Sequence, residues 1–279
     1  MSTLLVTGAS GYLGQAIVAR ARNWTIVPTA YSRPVLGYPN AAHIDLRDAD
    51  AVDELVRAAS PDVIIHTAAS NRNAEHIAAI VPAAVAVAAA ARQHGVRLIH
   101  VSTDLVFDGD HAPYADDSPP SPLDNPYALA KATAEQRVAD QHPGAAIVRP
   151  SLIWGLEPLD HQTQWLVDGA KSGAPVTLFT DEVRCPVYVG DLADWLLELA
   201  ARHDLVGPFN AVGAQPLTRW DLGQKLLRKL GIRPGPNVKA ALSKELAPNR
   251  ARNLTLTATR AADLLRTRLR GVDDVLATM

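Results

Sequence analysis

The stretch TGASGYLG, Thr7 to Gly14, sets glycines at positions 8, 11 and 14. It follows the apolar run Leu4 to Val6 and opens an apolar-periodic segment, Gly14 to Ala21. Strand, glycine turn and helix in that order make a phosphate cradle. The glycines allow a tight turn and close backbone approach to a pyrophosphate, and the helix start offers unpaired N–H groups and the positive end of its dipole. Gly8, Ser10, Gly11, Tyr12, Leu13 and Gly14 are therefore candidate dinucleotide contacts.

Outward from this turn, apolar runs alternate with helical periodicities. Strands are expected at Trp24 to Val27, His43 to Asp45, Val63 to His66, Arg97 to Val101 and Ala145 to Val148. Helices are expected at Ala51 to Ala59, Ile77 to His94 and Tyr127 to Ala139. This alternation predicts right-handed βαβ units and a doubly wound parallel α/β sheet of the Rossmann type. The strands are continuously apolar, as strands covered on both faces are. Beyond Pro150 the rhythm breaks: Ser151 to Gly173 shows no clean period, and only Pro175 to Phe179, Asp191 to Ala201 and Arg219 to Leu230 read as elements. The expected division is a dinucleotide domain of residues 1–150 with 187–210, and a small substrate lobe of residues 151–186 with 211–279.

An acid ending the second strand would favour NAD by accepting from both ribose hydroxyls, whereas a basic residue suits the 2′-phosphate of NADP. Here Ser32 and Arg33 occupy that place and no acid appears before Asp45, so NADP is expected over NAD. Asp45 and Leu46 are placed near the adenine edge, and the small Ala68 and Ala69 let a cofactor lie against the backbone. A second motif, Tyr127-x-x-x-Lys131, puts a phenol and an ammonium on one helix face. The cation is expected to lower the tyrosine pKa and suit it to general acid work. Thr103, in VSTDLVFDG after the fifth strand, adds a hydroxyl at the carboxyl end of the sheet, where ligands bind in this architecture.

Composition excludes other classes. Of the 279 residues, 48% are hydrophobic and 20% charged, with a net charge of -2, so neither a disordered chain nor a globally basic nucleic-acid or membrane-binding surface is expected. One cysteine, Cys185, permits no internal disulfide. The nine histidines show no metal-binding spacing, and no metal is expected. The start of the chain lacks a signal-peptide pattern. The apolar stretch Ile77 to Ala91 falls short of the roughly 20 residues of a membrane span. A soluble cytoplasmic protein is the expectation. Asp116-Asp117 reads as a solvated pair, Cys185 as a packed thiol, and Arg260 to Arg270 as a charged helix face.

These segments, together with PDVIIHTAAS (Pro61 to Ser70), HVSTDLVFDGDHAPYADDSPPSPLDNPYALAKATAE (His100 to Glu135), RPSLIWG (Arg149 to Gly155) and RCPVYVGDLAD (Arg184 to Asp194), resemble the extended short-chain dehydrogenase/reductases. Within them the chain is most similar to the dTDP-4-dehydrorhamnose reductase family and to its relative, the regulatory β subunit of methionine adenosyltransferase. The resemblance implies an NADPH-dependent reductase of a keto group on a deoxysugar nucleotide. Thr103 would bond the carbonyl, Tyr127 supply the proton, and Lys131 bind the nicotinamide ribose. The backbone around Arg149 to Leu152 would border the nicotinamide. Asp104, Trp154, Arg184 and Arg250 would meet the substrate, and a homodimer would pair through the helices of Ile77 to Ala91 and Tyr127 to Ala139. Three positions depart from the family pattern. Ile80 or an apolar neighbour stands where the superfamily commonly has Asn, Leu152 where related reductases often have Trp, and Ala16 where some members have a magnesium-binding acid. Two alternatives follow: a non-catalytic NADP-binding regulatory subunit, or a nucleotide-sugar epimerase or dehydratase.

Overall fold

A strand apolar at every position needs cover on both faces, and this chain supplies it. The computed structural model describes residues 1–279. β1 (Thr3–Thr7) runs into the glycine turn and α1 (Tyr12–Arg20) leaves it. β2 (Thr25–Ala30), β3 (Ala42–His43), α2 (Ala49–Ala59), β4 (Val63–His66), α3 (Ala74–Ala78), α4 (Ile80–Gln93) and β5 (Arg97–Val101) follow. A 3-10 turn, Asp104–Val106, leads through a long loop to α5 (Pro126–Gln141) and β6 (Ala146–Pro150). The expected single helix Ile77 to His94 is two helices that meet at Ala79. Pro82 has no N–H to give the turn before it and its ring crowds the carbonyl four residues back, so the break falls there.

The second half adds β7 (Ile153–Trp154), α6 (His161–Ser172), β8 (Val176–Phe179), β9 (Val183–Arg184), β10 (Val187–Tyr188), α7 (Val189–Ala200) and β11 (Gly207–Ala211). It ends with β12 (Leu217–Thr218), α8 (Arg219–Lys229), β13 (Val238–Ala241), α9 (Ser243–Leu246), α10 (Thr259–Leu264) and α11 (Val272–Thr278). Besides short strands and helices, one long helix and one strand of the sheet escaped the sequence reading. α6 buries only Thr163, Leu166, Val167 and Gly169, too weak a stripe to show a period, although Asp160 caps its start and Gly173 (φ 80) its end. β11, GPFNA, has no β-branched residue.

Seven strands form one parallel sheet in the order β11-β6-β5-β4-β1-β2-β3. Leu4, Val6, Val63, Ile65, Ile99 and Val101 point to the face covered by α1 and α7. Leu5, Ile64 and Leu98 point to the face covered by α2, α4 and α5. Full burial of one such side chain contributes about 1.5–3 kcal/mol, so the two faces dominate the stability. α3 and α4 together, Ala74–Gln93, span 20 residues and are apolar enough to cross a membrane by length and composition, a longer stretch than the one read from the sequence. In the fold α4 lays Ala84, Val87, Ala88 and Ala91 on the sheet. The chain builds outward from β1 through β2 and β3 and then crosses to the other side, where β4, β5 and β6 follow, which opens a crevice between β1 and β4 at the carboxyl ends of the strands.

Candidate active site

The glycine turn forms the floor of the crevice. Gly8 has φ +70, and a Cβ on it would lie 2.8 Å from the Ala68 Cα; Gly14 is closed to a side chain by Ala9, whose Cα would be 2.8 Å away. α1 starts at Gly11 with no side-chain cap and no acid in its first turn, which leaves its N–H groups facing the crevice. The crevice has a volume of about 460 Å³ and runs from Gly8, Ser10, Gly11 and Tyr12 past Ser32 and Arg33 to Asp45 and Leu46, with Ala68 and Ala69 along its wall. Backbone that admits no Cβ, free helix N–H groups and a long cleft fit a dinucleotide. Arg33 makes no ion pair in the chain and is exposed at the cleft edge. Asp45 is held by a fork of bonds from Arg47 at 2.6 and 3.0 Å.

Two expected contacts lie elsewhere. Leu13 points into the core under α1, and Gly14 serves helix–strand packing through its missing side chain. The sequence reading missed Thr29, Tyr31, Thr67, Arg72, His76 and His161, which also line the cleft. Thr67 and Tyr31 adjoin residues already singled out, so strand-end position could have found them. Arg72, His76 and His161 carry no such signal. Tyr12 also donates to the Pro158 carbonyl at 3.0 Å, tying the segment before α6 to the turn.

The candidate reaction centre lies at the carboxyl end of β5. Asn125 caps α5 by accepting from the Tyr127 and Ala128 amides at 3.0 and 3.1 Å, and Pro126 fits the first turn. This start sets Tyr127 beside Thr103, whose hydroxyl favours the phenolate, and places Lys131 one turn further on. Lys131 is buried, its Nζ donates to the Val101 carbonyl at 2.7 Å, and burial pushes its pKa down to about 8. His66 and His100 stack below it with centroids 5.3 Å apart. Burial and the Lys131 charge push His66 down to about 3. The expectation that Lys131 lowers the tyrosine pKa is corrected. Tyr127 is pushed up to about 12, first by burial and then by the Asp104 carboxylate, while Thr103 and Arg184 act in the other direction.

Several expected ligand contacts are framework. Asp104, 1% exposed, accepts from Arg184 at 2.6 and 2.8 Å and from the Ser151 hydroxyl at 2.6 Å. Arg184 also lies 3.5 Å from Glu182, and Glu182 takes a fork from Arg250 at 3.0 Å on each oxygen. Of the four charged residues, Arg250 alone has a side chain about half exposed. Trp154 is 1% exposed in a cluster with Leu222, Leu226, Val272 and Val275, so it is core. The Arg149 side chain pairs with buried Glu135 at 2.8 Å, donates to the Ser118 and Asp116 carbonyls and lies over Phe107; it pins α5, β6 and the loop between β5 and α5 rather than touching the cleft. Asp116, expected to be solvated, is 2% exposed and accepts from the Asn210 and Arg260 amides. Arg260 covers Phe209 and Arg270 pairs with Asp191, so these tail arginines are pinned. Cys185 is a buried free thiol, as expected.

The sequence matches the family described as RmlD substrate binding domain over residues 1–277. The chain belongs to this family. Among its relatives, methionine adenosyltransferase 2 subunit beta of Xenopus tropicalis is 32% identical over 234 residues, 78% of this chain and 69% of that protein. The dTDP-4-keto-6-deoxy-D-glucose reductase of Streptomyces niveus is 32% identical over 240 residues, 83% of this chain and 80% of that one. In fold, this RmlD-family chain is similar to dTDP-4-dehydrorhamnose reductase of Bacillus anthracis str. Ames, solved in complex with NADP, with a TM-score of 0.84 at 21% identity over 99% of this chain and 98% of that one.

Proposed function

We propose that this chain is an NADPH-dependent reductase of a keto group on a deoxysugar nucleotide. The observation that carries this reading is the grouping of Thr103, Tyr127 and Lys131 at the carboxyl end of β5, the same end of the sheet at which the cleft that fits a dinucleotide opens, though none of the three lines that cleft. Gly8, Gly11 and the α1 N-terminus would hold the pyrophosphate, Ser32 and Arg33 the 2′-phosphate, and Lys131 the nicotinamide ribose. A reduced nicotinamide bound there supplies the hydride. Tyr127, protonated throughout the neutral range, gives its proton to the developing alkoxide while the Thr103 hydroxyl stabilises it. The NADP complex of the Bacillus anthracis relative and the reductase names among the relatives support this assignment. Residues 151–186 and 211–279 would hold the sugar nucleotide over a dinucleotide domain of residues 1–150 and 187–210 in a cytoplasmic enzyme. A second copy would pair through the helices of Ile77 to Ala91 and Tyr127 to Ala139.

The test is NADPH oxidation with dTDP-4-keto-6-deoxyglucose and with simple ketones. Turnover is expected, and Tyr127→Phe should lower it by ~100- to 10,000-fold with NADPH binding intact. Full activity in that variant would remove Tyr127 as the acid. NADPH binding without turnover of any ketone would favour the second reading, a non-catalytic NADP-binding regulatory subunit, which the likeness to methionine adenosyltransferase 2 subunit beta supports.

A further inference from the structure

We propose that His161 is a ligand for the diphosphate of the bound dinucleotide, carried into the cleft by a segment from the second half of the chain that Tyr12 pins to the glycine turn. This rests on the dinucleotide reading of the cleft and not on turnover. Every other residue that lines the cleft lies between positions 8 and 83, and His161 alone arrives from the far half of the sequence. The glycine turn carries no charged side chain from Gly8 to Gly14. It therefore meets a diphosphate with backbone N–H groups alone, and an imidazole N–H adds a side-chain donor to them. His161 is exposed, and its ring makes no hydrogen bond or ion pair within the chain, so that donor is free for a ligand.

The segment that carries His161 is fixed on both sides of it. Before it, the Tyr12 hydroxyl donates to the Pro158 carbonyl at 3.0 Å. Burial, and then the Asp160 carboxylate, hold the proton on that hydroxyl, so it remains a donor. Gly155 packs against the same hydroxyl, and a Cβ there would overlap it. The loop closes on itself between positions 155 and 160. The Gly155 amide donates to the Asp160 carboxylate, and the Asp160 amide to the Gly155 carbonyl, both at 3.3 Å. After it, Asp160 caps α6 by accepting from the Gln162 and Thr163 amides at 2.9 and 3.0 Å. His161 is the first residue of α6, three positions beyond the carbonyl that Tyr12 holds. A residue of the glycine turn thus sets the position of a second donor on the cleft it floors, which makes Tyr12 a positioning residue for His161.

The experiment is isothermal titration calorimetry with NADPH, NADH and adenosine 2′-phosphate, the last of which lacks the diphosphate. His161→Ala should weaken NADPH and NADH alike, by roughly fivefold, and leave adenosine 2′-phosphate unchanged. A contact to the 2′-phosphate would behave differently, since NADH does not carry that group. His161→Glu sets an anion against the diphosphate and should weaken both dinucleotides more than His161→Ala does. An acid suits the first turn of a helix, so Tm should hold in His161→Glu and its loss of affinity is separate from folding. Wild-type NADPH affinity in His161→Ala would overturn the proposal, and a raised KM for the ketone beside it would give His161 to the substrate. Weakening of adenosine 2′-phosphate by the same factor would also overturn it. Tyr12→Phe removes the hydroxyl and keeps the ring. It should weaken both dinucleotides about threefold and add nothing in the His161→Ala background, whereas losses that add would overturn the role of Tyr12. A wild type that binds neither dinucleotide would sink the cofactor reading together with this one. Wild-type binding indifferent to position 161 would sink this one alone.

Discussion

The dinucleotide-sized cleft and the buried ionic junction next to β5 are built by different means. The cleft is made of backbone: a left-handed glycine, a helix start and two alanines, all within or just beyond consecutive strands. The junction is made of side chains brought from far apart, with Asp104, Ser151, Glu182, Arg184 and Arg250 joined across up to 80 residues of chain. A site made of backbone tolerates change in its exposed side chains and little change in its glycines. A site made of buried ions tolerates neither partner's loss, because an unpaired buried charge destabilises more than the intact pair stabilises.

Three substitutions probe this contrast. Arg149→Met should have the largest effect, a loss of about 3–5 kcal/mol read by denaturant unfolding, since Glu135 is left buried without its partner. NADPH affinity of the molecules that remain folded should be unchanged; a specific loss of affinity would return Arg149 to the cleft. Gly8→Ala reverses the pattern. Its Cβ meets Ala68 and its φ is +70, so cofactor binding should fall ~100-fold by fluorescence titration, with strain of about 1–3 kcal/mol in the turn. Near-normal binding would mean that the turn does not govern the cleft. Arg33→Ala should have the smallest effect: about tenfold weaker NADPH binding, as expected for losing a charge-assisted hydrogen bond, with NADH unaffected and Tm unchanged. Equal weakening of both cofactors would break the assignment of Arg33 to the 2′-phosphate.

The same contrast explains what could be read in advance. The parallel sheet was legible because apolar runs and glycine turns are local signals, and β4 and β5 begin and end where expected. Thr103, Tyr127 and Lys131 were legible as a set because strand-end and helix spacing place them together. The buried partners of Asp104, Trp154 and the Arg149 side chain were not, since a charged or aromatic residue near a motif reads the same whether or not it packs against a partner. α6 and β11 were hidden for want of period and of β-branching. The tyrosine was misjudged because a spacing rule counts the nearby lysine and ignores both burial and a carboxylate that arrives from another loop.

Asp116 has a consequence for how the molecule is made. Its carboxylate holds the amides of Asn210 and Arg260 at once, while Ala261 and Leu265 seal the main core beside β11. On a ribosome, β1 to β6 can emerge and pair early, and β11 can then pair with β6 and reach Asp116 before residue 260 and its neighbours arrive to cover it. Sealing of this sheet edge therefore comes later than its pairing, once residues 260–265 have followed β11 out of the exit tunnel.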